Sequence, residues 1–277
     1  MKEYALNLNK DQLYQSLQEQ FYVPVPFPID QHLLNDAMQA FFKFLDEPDE
    51  VKSHIDFSIS PLHRRGDVGY KHREAENHIY DDNKDFFHFH PALLEKHKDF
   101  LAKNPVVLDF VMKAKPIWDL TYQTIGAILK AFEPDFPGVY NRVFETEHPH
   151  LLVRFLKYEW HNSGRYLAKP HYDAGSFTLA ISESNPGLRI GSHQDNLQII
   201  EHQPNTAIFM ISSNFQKIME TDKLSPGWHD VIQMDDTLIG KSCARWAIVA
   251  FIDGHSVEAL PRSETHKWYE EKETVAA

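Results

Sequence analysis

The stretch KPHYDAGSFTLA, residues 169–180, sets a histidine two residues before an aspartate at the entry to an apolar run. In extended backbone, residues i and i+2 project to the same side. His171 and Asp173 are therefore expected to point together, with Tyr172 facing away. An ionisable pair at the mouth of a buried strand costs free energy unless something uses it. One imidazole and one carboxylate on a face make two-thirds of a 2-His-1-carboxylate metal site, an arrangement that leaves open positions on an octahedral ion. The motif is short, and alone it reads first as a surface His and Asp near a loop. Its surroundings carry the decision.

Outward from this stretch the chain reads as strands. HLLVRFLKY (150–158), SFTLAIS (176–182), GLRIG (187–191), TAIFMIS (206–212), WHDVIQM (228–234) and RWAIVAFID (245–253) are short and rich in branched and aromatic residues. Gly, Pro, Asn and Asp turns separate them. Such a series points to an antiparallel sandwich or barrel of the jelly-roll type. The first half reads as helical. PIDQHLLNDAMQAFFKFLD offers Asp30 as an N-cap and Leu33, Leu34, Met38, Phe41, Phe42 and Leu45 at helical spacing. Residues 93–102 and 105–132 are two further helices, the second with a kink or break expected at Pro116. FYVPVPF (21–27) is a strand able to join the sheet. The expected fold is α+β with a mainly β core, a jelly roll with flanking helices. It forms one domain over 1–277: a helix-rich 1–146 around a core at 147–255, then a tail at 256–277.

The 277 residues carry 28 Lys and Arg against 40 Asp and Glu, a formal net charge of −12. So acidic a chain repels phosphate backbones, which argues against nucleic acid as a partner. One cysteine excludes an intramolecular disulfide and fits a reducing, cytoplasmic setting. No apolar run has the length of a signal peptide or membrane span. With 17 His and 1 Cys, a transition-metal site would be built from imidazole and carboxylate.

Two later residues extend the constellation. His229 opens the strand at 228–234, and Arg245 heads the apolar strand at 245–253. An arginine there is expected to enter a pocket and hold a carboxylate. His171-x-Asp173-x-Gly175, then Thr178-Leu179, His229 and Arg245, resembles the 2-oxoglutarate/Fe(II)-dependent dioxygenases, in particular the isopenicillin N synthase-like branch. The likeness spans roughly residues 20–255. RRGDVGYKHREAENHIYDDNKDFFHFHP (64–91), LVRFLKYEW (152–160) and GLRI (187–190) occupy the places of that branch's other motifs. The resemblance implies a double-stranded β-helix, Fe(II) held by His171, Asp173 and His229, and 2-oxoglutarate with its far carboxylate on Arg245 beside Tyr158. It implies O2 as oxidant and a small organic substrate. With Asp173 retained as carboxylate ligand it implies hydroxylation, desaturation or ring closure rather than halogenation.

The chain departs from that pattern in three places. Arg245-Trp246-Ala247 lacks the serine of the usual Arg-x-Ser. The interval from His229 to Arg245 is long, read as an extended hairpin over 234–244. Leu156 and Lys157 replace the residues before Tyr158, and Lys157 is a candidate for a compensating charge. An iron oxidase that uses no 2-oxoglutarate, and a non-enzymatic binding protein on a jelly-roll scaffold, are the other readings. Arg64, Arg65, Tyr70 and Tyr80 are candidate substrate residues, weighed evenly against packing and surface charge. His88 and His90 read as structural or substrate-facing, His148 and His150 as a solvated turn, and His193 and His202 as exposed. His255 is the second choice for the distal ligand; His161, like it, flanks a strand. Cys243 reads as a buried thiol, and Phe41, Phe42, Phe86 and Phe87 as core.

Overall fold

The computed structural model describes residues 9–59, 67–74, 83–160, 166–255 and 257–258. The first part of the chain forms α1 (Lys10–Glu19), β1 (Val23–Pro26), α2 (Gln31–Leu45), α3 (Asp49–His54), β2 (Phe57–Ser58), β3 (Asp67–Arg73) and β4 (Lys84–Phe89). Then come α4 (Ala92–Lys96), α5 (Lys98–Leu101), α6 (Pro105–Phe132) and α7 (Val139–Phe144). The second half forms β5 (Leu151–Tyr158), β6 (Tyr166–His171), β7 (Phe177–Glu183), β8 (Leu188–Gly191), β9 (Leu197–Ile199) and β10 (Thr206–Ile211). It closes with α8 (Ser213–Met219), β11 (Trp228–Ile232) and β12 (Arg245–Ile252). Among these helices none is long and apolar enough to cross a membrane.

The strands form an eight-stranded sheet, β1-β10-β7-β12-β5-β4-β3-β2, and a four-stranded sheet, β6-β11-β8-β9. Side chains alternate across the larger sheet and divide the core in two. Its outer face gives Phe87, Val153, Phe155, Leu179, Phe209, Ile248 and Ala250 to a core shared with α2 and α6. Its inner face gives Phe86, Leu156, Tyr158, Ala180, Ile208, Met210 and Ala247 to a second cluster. Leu167, Ala168, Leu188, Ile190 and Val231 of the smaller sheet complete that cluster, so the two sheets enclose it as a jelly roll does.

The helices hold the larger sheet from outside. Asp30 caps α2, accepting from the His32 backbone N–H at 2.9 Å. Phe110 of α6 packs edge-on against Phe87 and Phe155, each at 5.1 Å between ring centres. Each such fully buried ring contributes roughly 1.5–3 kcal/mol by area. The helix runs unbroken through Pro116, contrary to the expected break. Pro116 and Met112 lie on the exposed face, so water can satisfy the Met112 carbonyl that the proline leaves unpaired. The helix expected over 93–102 is instead α4 and α5, interrupted at His97.

β1 joins the sheet edge against β10 as expected. Two strand readings are corrected. β11 and β12 do not pair as a hairpin: β11 lies between β6 and β8, and β12 between β5 and β7. The segment between them crosses from one sheet to the other. Gln233 anchors it, donating to the Ala244 carbonyl at 3.0 Å. The other correction concerns β6, which carries His171 and is distinct from the apolar strand that follows. The β6–β11 register slips between the His229↔His171 and Val231↔Ala168 pairs. Lys169 and Pro170 sit in that slip, where proline's missing N–H is tolerated.

Candidate metal centre

His171 is the last residue of β6 and faces His229 of β11 directly in register. Their rings lie 4.3 Å apart. Asp173 lies in the short link that carries the chain from β6 to β7, that is, from the smaller sheet to the larger. The two residues of the opening motif do converge, though not as neighbours on one strand. Tyr172 turns away, as expected, and packs against Trp228 at 4.5 Å.

The link is fixed through its backbone. Ser213 and Asn214, at the start of α8, donate to the Asp173 and Gly175 carbonyls at 3.0 and 2.8 Å. Ser176 donates its backbone N–H to Ile252 and its hydroxyl to the buried Asp253 carboxylate. A Cβ on Gly175 would sit 3.0 Å from the Ile252 carbonyl, so the close approach of the link to β12 favours glycine there.

Asp173 Oδ1 is 3.5 Å from His171 Nε2, and Oδ2 is 3.5 Å from His229 Nε2. Both other ring nitrogens face backbone carbonyls: His171 Nδ1 lies 2.6 Å from Lys169 O and His229 Nδ1 3.1 Å from Gly227 O. A carbonyl only accepts, so each Nδ1 carries the proton and each Nε2 presents a lone pair toward Asp173. Thr178 donates to Asp173 Oδ2 at 2.6 Å. Two Nε2 lone pairs and a carboxylate, each oriented from behind, form a ready donor set for a divalent cation. The three ligand atoms lie within 4.8 Å of one another, and among the described residues no other such group exists.

The electrostatics agree. Burial alone would raise the Asp173 carboxyl, but positive charge at His229 and His171, a role a bound cation takes over when the imidazoles are neutral, and the Thr178 hydroxyl hold it well below the ordinary carboxylate range. Burial, reinforced by His229, lowers His171, which favours the neutral imidazole a metal needs.

The three residues line a cavity inside the jelly roll, with Ala168, Ala180 and Ala247 keeping its walls clear. Arg245 and Tyr158 face it and are adjacent in register. Arg245 finds a carboxylate there, but from its own chain: it pairs with Glu183. Its guanidinium also lies over the Tyr158 ring at 5.6 Å. Lys157 points out of the cavity and pairs with Asp85 and Glu159, because strand alternation gives the inward positions to Leu156 and Tyr158. It supplies no compensating charge.

Two cavity residues near Arg245 escaped the sequence reading. β7 carries one extra residue opposite β12, between the Ser182↔Ile248 and Ala180↔Val249 pairs. The bulge reverses the strand's phase, so Glu183 lies opposite inward-facing Ala247 instead of on the outer face. His202, expected exposed, lies with Nδ1 3.2 Å from Glu183 Oε1.

The remaining candidates sit elsewhere. His255 is exposed against the Arg142 carbonyl and away from the metal cluster. His88 accepts from Arg154 Nε at 2.6 Å, and His90 accepts from the Ala92 N–H while its ring meets Trp118. Both are buried. His148 is exposed but His150 is buried, so only half of the expected solvated turn holds. His193 is exposed. Tyr70 donates to Asp85 at 2.7 Å and does not line the cavity. Burial raises the Cys243 thiol, consistent with an unreactive cysteine. Arg64, Arg65, Tyr80 and His161 lie outside the described residues.

No protein-family model and no curated protein matches the chain in sequence. Solved structures match it in fold. The dioxygenase for auxin oxidation 1 from Arabidopsis thaliana, with 2-oxoglutarate, aligns at TM-score 0.64 and 18% identity, covering 92% of this chain and 91% of that one. A 2OG-Fe(II) oxygenase family protein from Caulobacter crescentus aligns at TM-score 0.66 and 14% identity over 97% and 94%. JOX2, with 2OG, Fe and JA, aligns at TM-score 0.65 and 17% identity over 92% and 74%. The chain has the fold of the 2-oxoglutarate/Fe(II) oxygenases.

Proposed function

We propose that the protein is a non-haem Fe(II) oxygenase that oxidises a small organic substrate with O2, consuming 2-oxoglutarate and releasing succinate and CO2. The observation that carries the reading is the convergence of two Nε2 lone pairs and one carboxylate inside the cavity. Two imidazoles and a carboxylate suit ferrous iron and leave half of an octahedron open. His171, Asp173 and His229 would hold the metal, with Thr178 keeping the Asp173 carboxylate turned toward it. Bound iron and 2-oxoglutarate together supply O2 activation coupled to decarboxylation of the oxo acid. The chain's own part is positioning and shielding. The alanines and Leu188 and Val231 leave room for ligands and keep bulk water from the centre. Arg245 and Tyr158 face the place of the oxo acid's far end, once Glu183 yields the guanidinium. With Asp173 as a ligand the reaction is hydroxylation, desaturation or ring closure. The motifs over 64–91, 152–160 and 187–190 favour the isopenicillin N synthase-like branch, and a free Cys243 suits the reducing cytoplasm.

The test is a screen of small organic substrates with Fe(II) and 2-oxoglutarate, scoring O2 uptake and succinate together. Succinate in step with oxidised product, lost in His229→Ala, is the expected result. O2 uptake without succinate would move the reading to an iron oxidase of the same fold, for which Ala247 and the Glu183–Arg245 pair are the supporting observations. No turnover and no metal binding would leave a binding protein on this scaffold.

A further inference from the structure

We infer that Glu183 is a resident competitor in the oxo-acid pocket. Its carboxylate holds Arg245 where the far carboxylate of 2-oxoglutarate would bind, and cosubstrate entry requires it to turn aside. The inference rests on the oxo-acid reading above and concerns how this chain's pocket differs from one with a free arginine.

Three observations support it. First, the pair is built into the wall. Arg245 and Glu183 side chains are 3% and 5% exposed, and the β7 bulge aims Glu183 inward. An ion pair so enclosed is not a screened surface contact. Second, the residue directly opposite Glu183 is Ala247, the position where a serine hydroxyl would help Arg245 hold a ligand carboxylate. The pocket therefore has lost a second anchor and gained a negative charge at one place. A dicarboxylic oxo acid arriving there meets a like charge beside the Arg245 guanidinium, and like charges in contact are strongly disfavoured.

Third, the carboxylate has somewhere to go. Glu183, Ser182 and His202 also border a second cavity, walled by Gln31, Gln203 and Asn205 among others. His202 already flanks Glu183 on that side at 3.2 Å, and its Nε2 is tied to the Ala180 carbonyl at 3.1 Å. Glu183 thus stands in the partition between the two cavities. A rotation away from Arg245 keeps it beside a histidine and side-chain amides, so its charge is not stranded in apolar surroundings.

The test is anaerobic calorimetry on protein loaded with Mn(II), which separates binding from turnover. Wild type and Glu183→Gln are titrated with 2-oxoglutarate and with 2-oxobutyrate. The second acid offers the same 1-carboxylate and 2-oxo group to the metal but has no far carboxylate. The expected result is that Glu183→Gln binds 2-oxoglutarate at least about tenfold more tightly than wild type, with 2-oxobutyrate affinity unchanged within about twofold. Unchanged or weaker 2-oxoglutarate binding in a variant that still binds Mn(II) and melts like wild type would overturn the inference and leave the oxo-acid reading intact. Binding of Mn(II) but of neither acid by either protein would overturn the oxo-acid reading itself. Should Glu183→Gln fail to fold, Glu183→Ala is expected to shift 2-oxoglutarate affinity in the same direction, and failure to do so counts against the inference equally.

Discussion

Replacing Thr178 by valine removes one oxygen and almost no volume. Thr178 is 1% exposed on the inner face of β7, and its hydroxyl lies 2.6 Å from Asp173 Oδ2 and 3.0 Å from Ser212 Oγ. A hydroxyl has one proton. Given to the carboxylate, it leaves Ser212 as the donor to Thr178, so the chain runs Ser212 to Thr178 to Asp173. A hydrogen bond to a charged group is worth roughly 1.5–3 kcal/mol, and one left unmade in a buried site costs about 1–3 kcal/mol. Some of this loss falls on folding, because Asp173 and Ser212 each lose a partner before any metal binds. The rest falls on the metal, because a carboxylate free to rotate no longer aims at it. Loss of such an orienting contact lowers metal affinity by about 10–100-fold. Thr178→Val is therefore expected to lose about 1–3 kcal/mol of stability and one to two decades of Fe(II) or Co(II) affinity. Chemical denaturation and anaerobic competition against a chromophoric chelator read the two effects. Thr178→Ser, which keeps the hydroxyl, is expected to bind metal like wild type. A folded Thr178→Val protein with metal affinity within about twofold of wild type would refute the argument that Thr178 orients a ligand.

Two further outcomes are expected. Ala247→Leu pushes an isobutyl group into the cavity beside Leu156 without touching a metal ligand, so metal binding persists while 2-oxoglutarate binding is lost; calorimetry on the metal-loaded variant checks this, at a stability cost of about 1–3 kcal/mol for overpacking. His90 has its pKa pushed down from 6.5 to about 4, first by burial and then by His148. The unfolded chain takes up this proton before the folded one does, so stability falls by about 3 kcal/mol as the pH drops through that window. His90→Asn is expected to remove that component, and a variant whose denaturation free energy keeps the wild-type slope between about pH 7 and pH 4.5 would contradict it.

The strands were legible where side chains made the pattern. β5, β7, β10 and β12 are bounded by turn residues and rich in branched and aromatic side chains, and both faces of their sheet are buried, which is why they read as apolar runs. β6 was not, because Lys169 and Pro170 interrupt it and only the irregular pairing with β11 accommodates them. β3 and β4 lay within a half that read as helical. They join the sheet through β5, a long-range pairing with no local signature. In the site, spacing put His171 and Asp173 on one side and the family resemblance added His229, yet the hairpin expected over 234–244 does not form. His229 meets His171 because β11 pairs with β6. Glu183 was hidden for a related reason. Strict alternation along β7 assigns it to the outer face with Leu179 and Ile181, and a single-residue bulge reverses the assignment. His202, in a polar segment, carried no signal at all until β7 brought Glu183 to it.

His171, Asp173 and His229 are proposed to hold ferrous iron in a cavity that admits an oxo acid. An anaerobic titration with Fe(II) and then 2-oxoglutarate, followed in the visible spectrum, tests it most directly. The expected result is a weak charge-transfer band that needs both additions and is absent in His171→Ala and Asp173→Ala. A wild-type protein that binds no iron, or a band that survives both substitutions, would contradict it.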